Sequence, residues 1–209
     1  MKLYFSSGSP YARIARMALI ETGLDARVAQ EETTLRDPAS TLLPVNPVGR
    51  VPTLVLDDGT VLGETALILV HLATLPEGRG LLPLDGSDGW RTMSALGRAI
   101  GMLDGIAVWN RELRRPEHER SPGVIAHETV RANRVADALE RAVAAGGYAA
   151  GAGGAVDAAW IALAATLGYC ERRHRVWAWR EGRPALSAWL DAASARRSFQ
   201  ATVPPVSGI

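Results

Sequence analysis

Strand signals and tryptophans do not mix in this chain: every convincing strand pattern in its 209 residues falls before residue 64, and all six tryptophans fall after residue 89. A chain divided in this way predicts a sheet-bearing first half and a helical second half rather than one uniformly layered domain. Between the two, Pro76-Glu77-Gly78-Arg79-Gly80, Leu81-Leu82-Pro83 and Asp85-Gly86 are dense in residues that interrupt regular structure. The division predicts a first domain over residues 1–76, a linker over 77–87 and a helical domain over 88–209.

Within the first half, Lys2 to Phe5 predicts a strand, and Ser9-Pro10 opens a helix that runs to about Thr22 and is closed by Gly23. A second strand is expected over about Arg27 to Gln30. Thr53 to Leu56 and Val61-Leu62 flank Asp57-Asp58-Gly59-Thr60, whose Asp-Gly pair signals a hairpin between antiparallel strands. A helix from Glu64 to about Leu75 follows. The order β-α-β, loop and short helix, β-β-α predicts an α/β domain built on a mixed four-stranded sheet with helices on both faces. In the second half, helices are expected over 89–113, 122–145 and Pro184 to Ala195, with an exposed glycine-rich loop at 146–147 and 151–154. Val156, Trp160, Leu163, Leu167 and Cys170 recur at helical spacing and form one buried stripe, so Cys170 is read as core.

Composition removes whole classes of function. Apolar residues make up 47% and charged residues 22%, the balance of a globular protein, and the net charge of +1 supplies no broad basic field for nucleic acid or anionic lipid. Lys2 is the one lysine among 23 basic residues, a bias of the kind that base composition imposes in some bacterial genomes. With Cys170 as the single cysteine, the chain can form neither an internal disulfide nor a two-thiol redox pair. The four histidines are dispersed and predict no metal site. The opening Met1-Lys2-Leu3-Tyr4-Phe5 has no leader pattern and no run reaches membrane-helix length, which predicts a cytoplasmic protein.

Three motifs carry chemistry. Asn46-Pro47-Val48-Gly49-Arg50-Val51-Pro52-Thr53-Leu54 puts a proline directly before a strand, either as an edge-strand device or as a cis peptide that turns Val51's backbone outward. In the second case Val51 offers its N–H and C=O to an extended, peptide-like ligand. Glu64-Thr65 opens a helix, where free N–H groups favour an anion and the Glu64 carboxylate can accept from an ammonium group. The same pair also fits a plain helix start with Thr65 as cap. Ser9-Pro10-Tyr11-Ala12 opens the first helix with Ser9 as cap; a capping hydroxyl still has its own hydrogen to donate, and a thiolate at a helix N-terminus would accept it.

These motifs, together with Ala164-Ala165-Thr166-Leu167-Gly168-Tyr169 and Ser198-Phe199-Gln200-Ala201-Thr202, resemble the cytosolic glutathione S-transferase family, most closely its bacterial subgroup with a serine-type active site. The resemblance implies a thioredoxin-like N-terminal domain, an all-α C-terminal domain and a homodimer. It implies glutathione as cosubstrate, with no permanently bound cofactor. By position, Val51 and Pro52 would meet the cysteinyl backbone of glutathione, Glu64 and Thr65 its γ-glutamyl end, Arg50 its glycyl carboxylate, and Ser9 its sulfur. Tyr11, Met102, Ile106 and Trp109 are expected to line an electrophile pocket between the domains, for small apolar electrophiles taken with low selectivity.

Several positions depart from the family's pattern. Ser9 and Ala12 stand where dithiol relatives carry cysteines, which excludes a two-cysteine mechanism. Gly154 occupies the expected cap position before Asp157, Asp104 matches an acidic position of the subgroup, and Ile100 replaces another Asp. Arg111, Arg114 and Arg115, and the cluster Arg172-Arg173-His174-Arg175, are read as solvated helix ends. Three functions fit the motifs: a transferase joining glutathione to small electrophiles, a non-catalytic module binding glutathione or another ligand, and an interaction scaffold.

Overall fold

A computed structural model describes residues 1–83, 86–150 and 154–207. The N-terminal domain has the thioredoxin-like arrangement, a four-stranded mixed sheet in the order β2-β1-β3-β4. Strand β1 (Lys2–Phe5) pairs in parallel with β2 (Ala29–Glu32), Leu3 opposite Gln30, and antiparallel with β3 (Thr53–Val55), Leu3 opposite Leu54. The hairpin strand β4 (Val61–Leu62) closes the edge. Helix α1 (Pro10–Thr22) makes the crossover that a parallel pair requires. It starts at Ser9, whose Oγ accepts from the Ala12 N–H, has Pro10 in its first turn, and stops at Gly23, which takes the left-handed conformation with φ 72°.

Two expectations in this half are corrected. Strand β2 begins at Ala29 rather than Arg27, because the N–H groups of Arg27 and Val28 are held by the Leu24 carbonyl in a turn and the chain extends only afterwards. Between β2 and β3 the expected short helix is replaced by successive turns, in which the N–H groups of Val45 and Asn46 both bond to the Leu42 carbonyl. Helix α2 (Thr65–Thr74) then runs into a 3₁₀ turn at Pro76–Gly78.

The C-terminal domain consists of α3 (Gly86–Leu113), α4 (Pro122–Ala144), α5 (Ala158–Arg173), α6 (Pro184–Ser194) and the short α7 (Arg197–Gln200), which the sequence reading did not foresee. Positions 84–85 of the expected linker and 151–153 of the expected glycine loop lie outside the described residues. The α5 stripe is present, but burial extends around the whole helix from Ala158 to Cys170, as befits a helix packed by α1 and α3 on different sides. Its cap is Asp157 itself, whose carboxylate accepts from the Trp160 N–H at 2.8 Å, so the vacant hydroxyl at position 154 is not the helix start.

One continuous apolar core joins the halves: Leu3 and Leu54 from the sheet and Ile14 and Met17 from α1 belong to the same cluster as Leu103 and Ile106 of α3 and Leu163 of α5. A smaller cluster of Tyr4, Ala12, Leu42 and Val51 sits separately and supports the sheet edge around Val51.

Candidate functional site

A cleft of about 490 Å³ opens between the sheet and α3. The sheet side contributes Ser9, Tyr11, Arg50, Val51, Pro52, Glu64 and Thr65, so every proposed glutathione-binding residue meets in one place although they span 56 positions of sequence. The Val51-Pro52 peptide is cis, and Val51 lies before the ladder that begins at Thr53.

The turn carrying Arg50, Val51 and Pro52 is braced from behind. Asn46, which is buried, donates from Nδ2 to Thr53 Oγ1 at 2.9 Å and accepts from the Val48 N–H at 3.0 Å. Thr53, fully buried, donates its hydroxyl to the Arg50 carbonyl at 2.7 Å. Gly49 turns the chain at φ 64°, a conformation that favours glycine. Asn46 and Thr53 thus position the edge without lining the cleft. Both lie inside the sequence motif, where an amide and a hydroxyl seven residues apart around a turn are the signal that the sequence carries for them.

At the start of α2, Glu64 is the N-cap and makes no side-chain cap bond, leaving its carboxylate exposed at the cleft, while Thr65 is buried beside it. The alternative reading with Thr65 as cap is not what the helix adopts. Ser9 Oγ accepts from the Ala12 N–H at 3.2 Å and, among the described residues, donates to nothing. Tyr11 differs. Its hydroxyl donates to Asp104 across the cleft, and burial together with the adjacent Asp104 carboxylate pushes its pKa well above the usual tyrosine range.

The opposite wall is α3, and here the sequence expectation is corrected. Met102, Ile106 and Trp109 are buried in the core rather than in the cleft; Trp109 stacks edge-on against His174 with ring centroids 4.4 Å apart. The face turned to the cleft is Asp104, Ala107, Val108 and Arg111, spaced as one side of a helix. The apolar stripe went where apolar stripes go, into the core, and the cleft received the other face. Of the four expected pocket residues, only Tyr11 lines it. Leu35, from the turns after β2, completes an apolar patch with Ala107 and Val108. A second chamber of about 710 Å³ adjoins the first, with Ser9, Leu35 and Arg111 lining both. Among the described residues no group of His, Cys, Asp and Glu could hold a metal, and no helix is long and apolar enough to cross a membrane.

Comparison with known proteins gives these residues a family context. Residues 3–80 match the family model described as glutathione S-transferase, N-terminal domain, and residues 122–192 that for the glutathione S-transferase C-terminal domain. A glutathione transferase family member from Pseudomonas fluorescens Pf-5 is 33% identical, with 99% of this chain and 100% of that chain covered and a TM-score of 0.83; its structure contains bound S-(propanoic acid)-glutathione. The same protein has been solved with glutathione. A glutathione S-transferase from Methylobacillus flagellatus KT with glutathione bound is 27% identical over 97% of this chain and 98% of that one, with a TM-score of 0.86. The uncharacterized GST-like protein YibF of Escherichia coli K12 is 28% identical over 98% of this chain and 99% of its own length.

Proposed function

Because the chain belongs to the glutathione S-transferase family, we propose that it binds reduced glutathione in the cleft at Ser9 and transfers the thiolate to a small organic electrophile. Residues 1–76 form the glutathione-binding domain, 77–87 the linker and 88–209 the domain that completes the electrophile site. The Val51 backbone pairs with the cysteinyl unit, Glu64 and Thr65 take the ammonium and carboxylate of the γ-glutamyl end, and Arg50 approaches the glycyl carboxylate. Leu35, Ala107 and Val108 receive the carbon frame of the electrophile. The protein acts as a cytoplasmic homodimer.

The single observation that carries the assignment of Ser9 is the contrast between two hydroxyls: the Ser9 hydrogen is uncommitted, whereas that of Tyr11 is given to Asp104. A thiol of pKa about 8.5 is only about 3% thiolate at pH 7. Making it mostly ionised requires a shift of about two units, or about 2.7 kcal/mol. A hydrogen bond from Ser9 to the anion contributes roughly 1.5–3 kcal/mol and the N-terminus of α1 roughly 0.3–1 more, which is sufficient. Ser9 is a donor and not a base, since among the described residues no side chain bonded to it could take its proton.

The thiol proton leaves to solvent on binding. In a substitution the sulfur lone pair forms the C–S bond as the bond to the leaving group breaks and its electrons depart with that group. In an addition the displaced pair settles on the neighbouring atom, which takes a proton from water. Ionisation accounts for at most about 30-fold at pH 7, so the rest of any acceleration comes from holding the electrophile against sulfur.

Titration calorimetry with reduced glutathione at pH 7, in two buffers of different ionisation enthalpy, tests the reading. Binding with release of about 0.7 proton per site is expected for a bound thiol pKa near 6.5. Binding without proton release would make the protein a carrier, and absence of binding would overturn the reading.

A further inference from the structure

The second chamber, which meets the first at Ser9, is cationic. Arg111 reaches it from the last turn of α3, Arg114 from the turn just beyond that helix, Arg173 from the last turn of α5 and Arg36 from the turn after β2. Among the described residues none of these four forms an ion pair, although Arg115 and Arg131 and, beyond α5, Arg180 are each paired with a carboxylate. Two carboxylates, Glu32 and Asp37, also line the chamber, and each is occupied by a backbone N–H at 2.8 Å, from Ser7 and Ala39 respectively. The charge of the lining is therefore positive by two, four guanidiniums against two carboxylates.

Two of the arginines, Arg114 and Arg173, are also held in place. Asn110, 3% exposed, accepts from Arg114 Nε at 2.8 Å and donates to the Arg173 carbonyl at 2.5 Å, so one buried amide links both. Arg173 donates to the Pro205 carbonyl at 3.0 Å, and its Nε is buried without a partner among the described residues. Its guanidinium lies so close over Gly8 that a Cβ there would stand 3.3 Å from Cζ, which puts a cation one residue from Ser9. The remaining N–H groups of Arg111, Arg114 and Arg173 form a donor set for a planar anion.

Resting on the transferase reading above, the geometry points to an anionic electrophile: a small molecule whose reacting carbon sits at Ser9 and whose carboxylate is received in the second chamber by Arg111, Arg114 and Arg173. This revises the sequence expectation of apolar electrophiles taken with low selectivity. The apolar patch of Leu35, Ala107 and Val108 accepts the frame of the molecule, and the arginines select its charge.

The test is calorimetry on the full chain at low salt with glutathione, S-(4-carbamoylbenzyl)glutathione and S-(4-carboxybenzyl)glutathione, the last two differing in charge and little in shape. The carboxy conjugate is expected to bind about tenfold tighter than the carbamoyl one. That ratio should shrink towards one in 1 M salt, where the screening length falls to about 3 Å. Arg114→Gln should reduce the ratio at least about threefold and Arg114→Lys should retain more of it, with glutathione's own affinity reporting that the variants are folded. Equal affinity for the two conjugates while glutathione binds would overturn the inference and leave the transferase reading intact. Failure of glutathione itself to bind would overturn both.

Discussion

Ser9 Oγ caps α1 through the Ala12 N–H, and in the proposed reading the same hydroxyl also donates to sulfur. Ser9→Ala removes the bond to the Ala12 N–H and, with the same hydroxyl, the proposed donor to sulfur. The expected result is a 10- to 30-fold fall in kcat/KM, roughly the value of one charge-assisted bond, with the thiolate absorption of bound glutathione lost at pH 7. Losing the cap should also lower stability by about 1 kcal/mol in denaturant titration, and Ser9→Thr should restore both. Tyr11→Phe is the matching control: with its hydroxyl given to Asp104, the variant should lose much less in kcat/KM than Ser9→Ala, and a larger loss would make Tyr11 the activating group. The residues around glutathione's proposed path were legible in the sequence because they come in three short contiguous stretches whose turn and cap chemistry is local. The wall opposite was not, because which face of α3 meets the cleft is decided by where α5 lies. Met102, Ile106 and Trp109 are apolar, the property that suggests a pocket wall and also the reason they are buried. Arg111 and Arg114 are exposed, in keeping with their reading as solvated helix ends, and nothing in the sequence shows that they and the half-buried Arg173 converge beside Ser9.

The junction of α3 and α5 is the element on which both chambers depend, and it carries a titratable group. His174, at the C-terminal cap of α5, is fully buried against Trp109, with Nδ1 3.3 Å from the Asn110 amide. Burial pushes its imidazole down to about 4. The unfolded chain takes up this proton as pH falls through about 6.5, while the folded protein resists until about 4. The unfolded state therefore binds more protons in this window, so stability is fully present above pH 6.5 and is lost as pH falls towards 4, by about 3 kcal/mol. Urea midpoints measured across that range should fall more steeply for the wild-type protein than for His174→Gln, and parallel curves would remove His174 as the cause. Element types were readable because strand and helix periods are local; element ends were less so. Strand β2 starts late because a Leu24 carbonyl competes for two N–H groups, and α5 starts at Asp157 because a carboxylate three residues before Trp160 is itself a complete cap.

At the scale of the whole molecule, the division between a sheet half and a helical half was visible in the distribution of strand patterns and tryptophans, but the continuity of their core was not. Leu3 and Leu163 belong to one apolar cluster, and Tyr11 reaches Asp104 across the cleft, so the two domains share a core and the candidate site between them is held from both sides. What the shared core leaves uncovered is informative. Trp90 is 72% exposed near the start of α3 with Met93 three residues on, and Leu67 on α2 is 55% exposed. Trp90 also walls a shallow cleft of about 420 Å³ with Arg98 and Tyr148. A tryptophan so exposed on a helix face is costly in water and is the kind of residue that anchors an interface. If the protein is the homodimer expected of its family, Trp90 belongs to the subunit contact, and sedimentation equilibrium at micromolar concentration should give twice the 22.3 kDa chain mass. Trp90→Glu should then shift the mass towards a single chain, because a carboxylate buried in an apolar contact without a partner costs several kcal/mol. The variant should keep its ability to bind glutathione, since neither chamber at Ser9 includes this face. A wild-type protein that sediments as a monomer would remove the dimer, and a dimer unaffected by Trp90→Glu would move the contact to another surface.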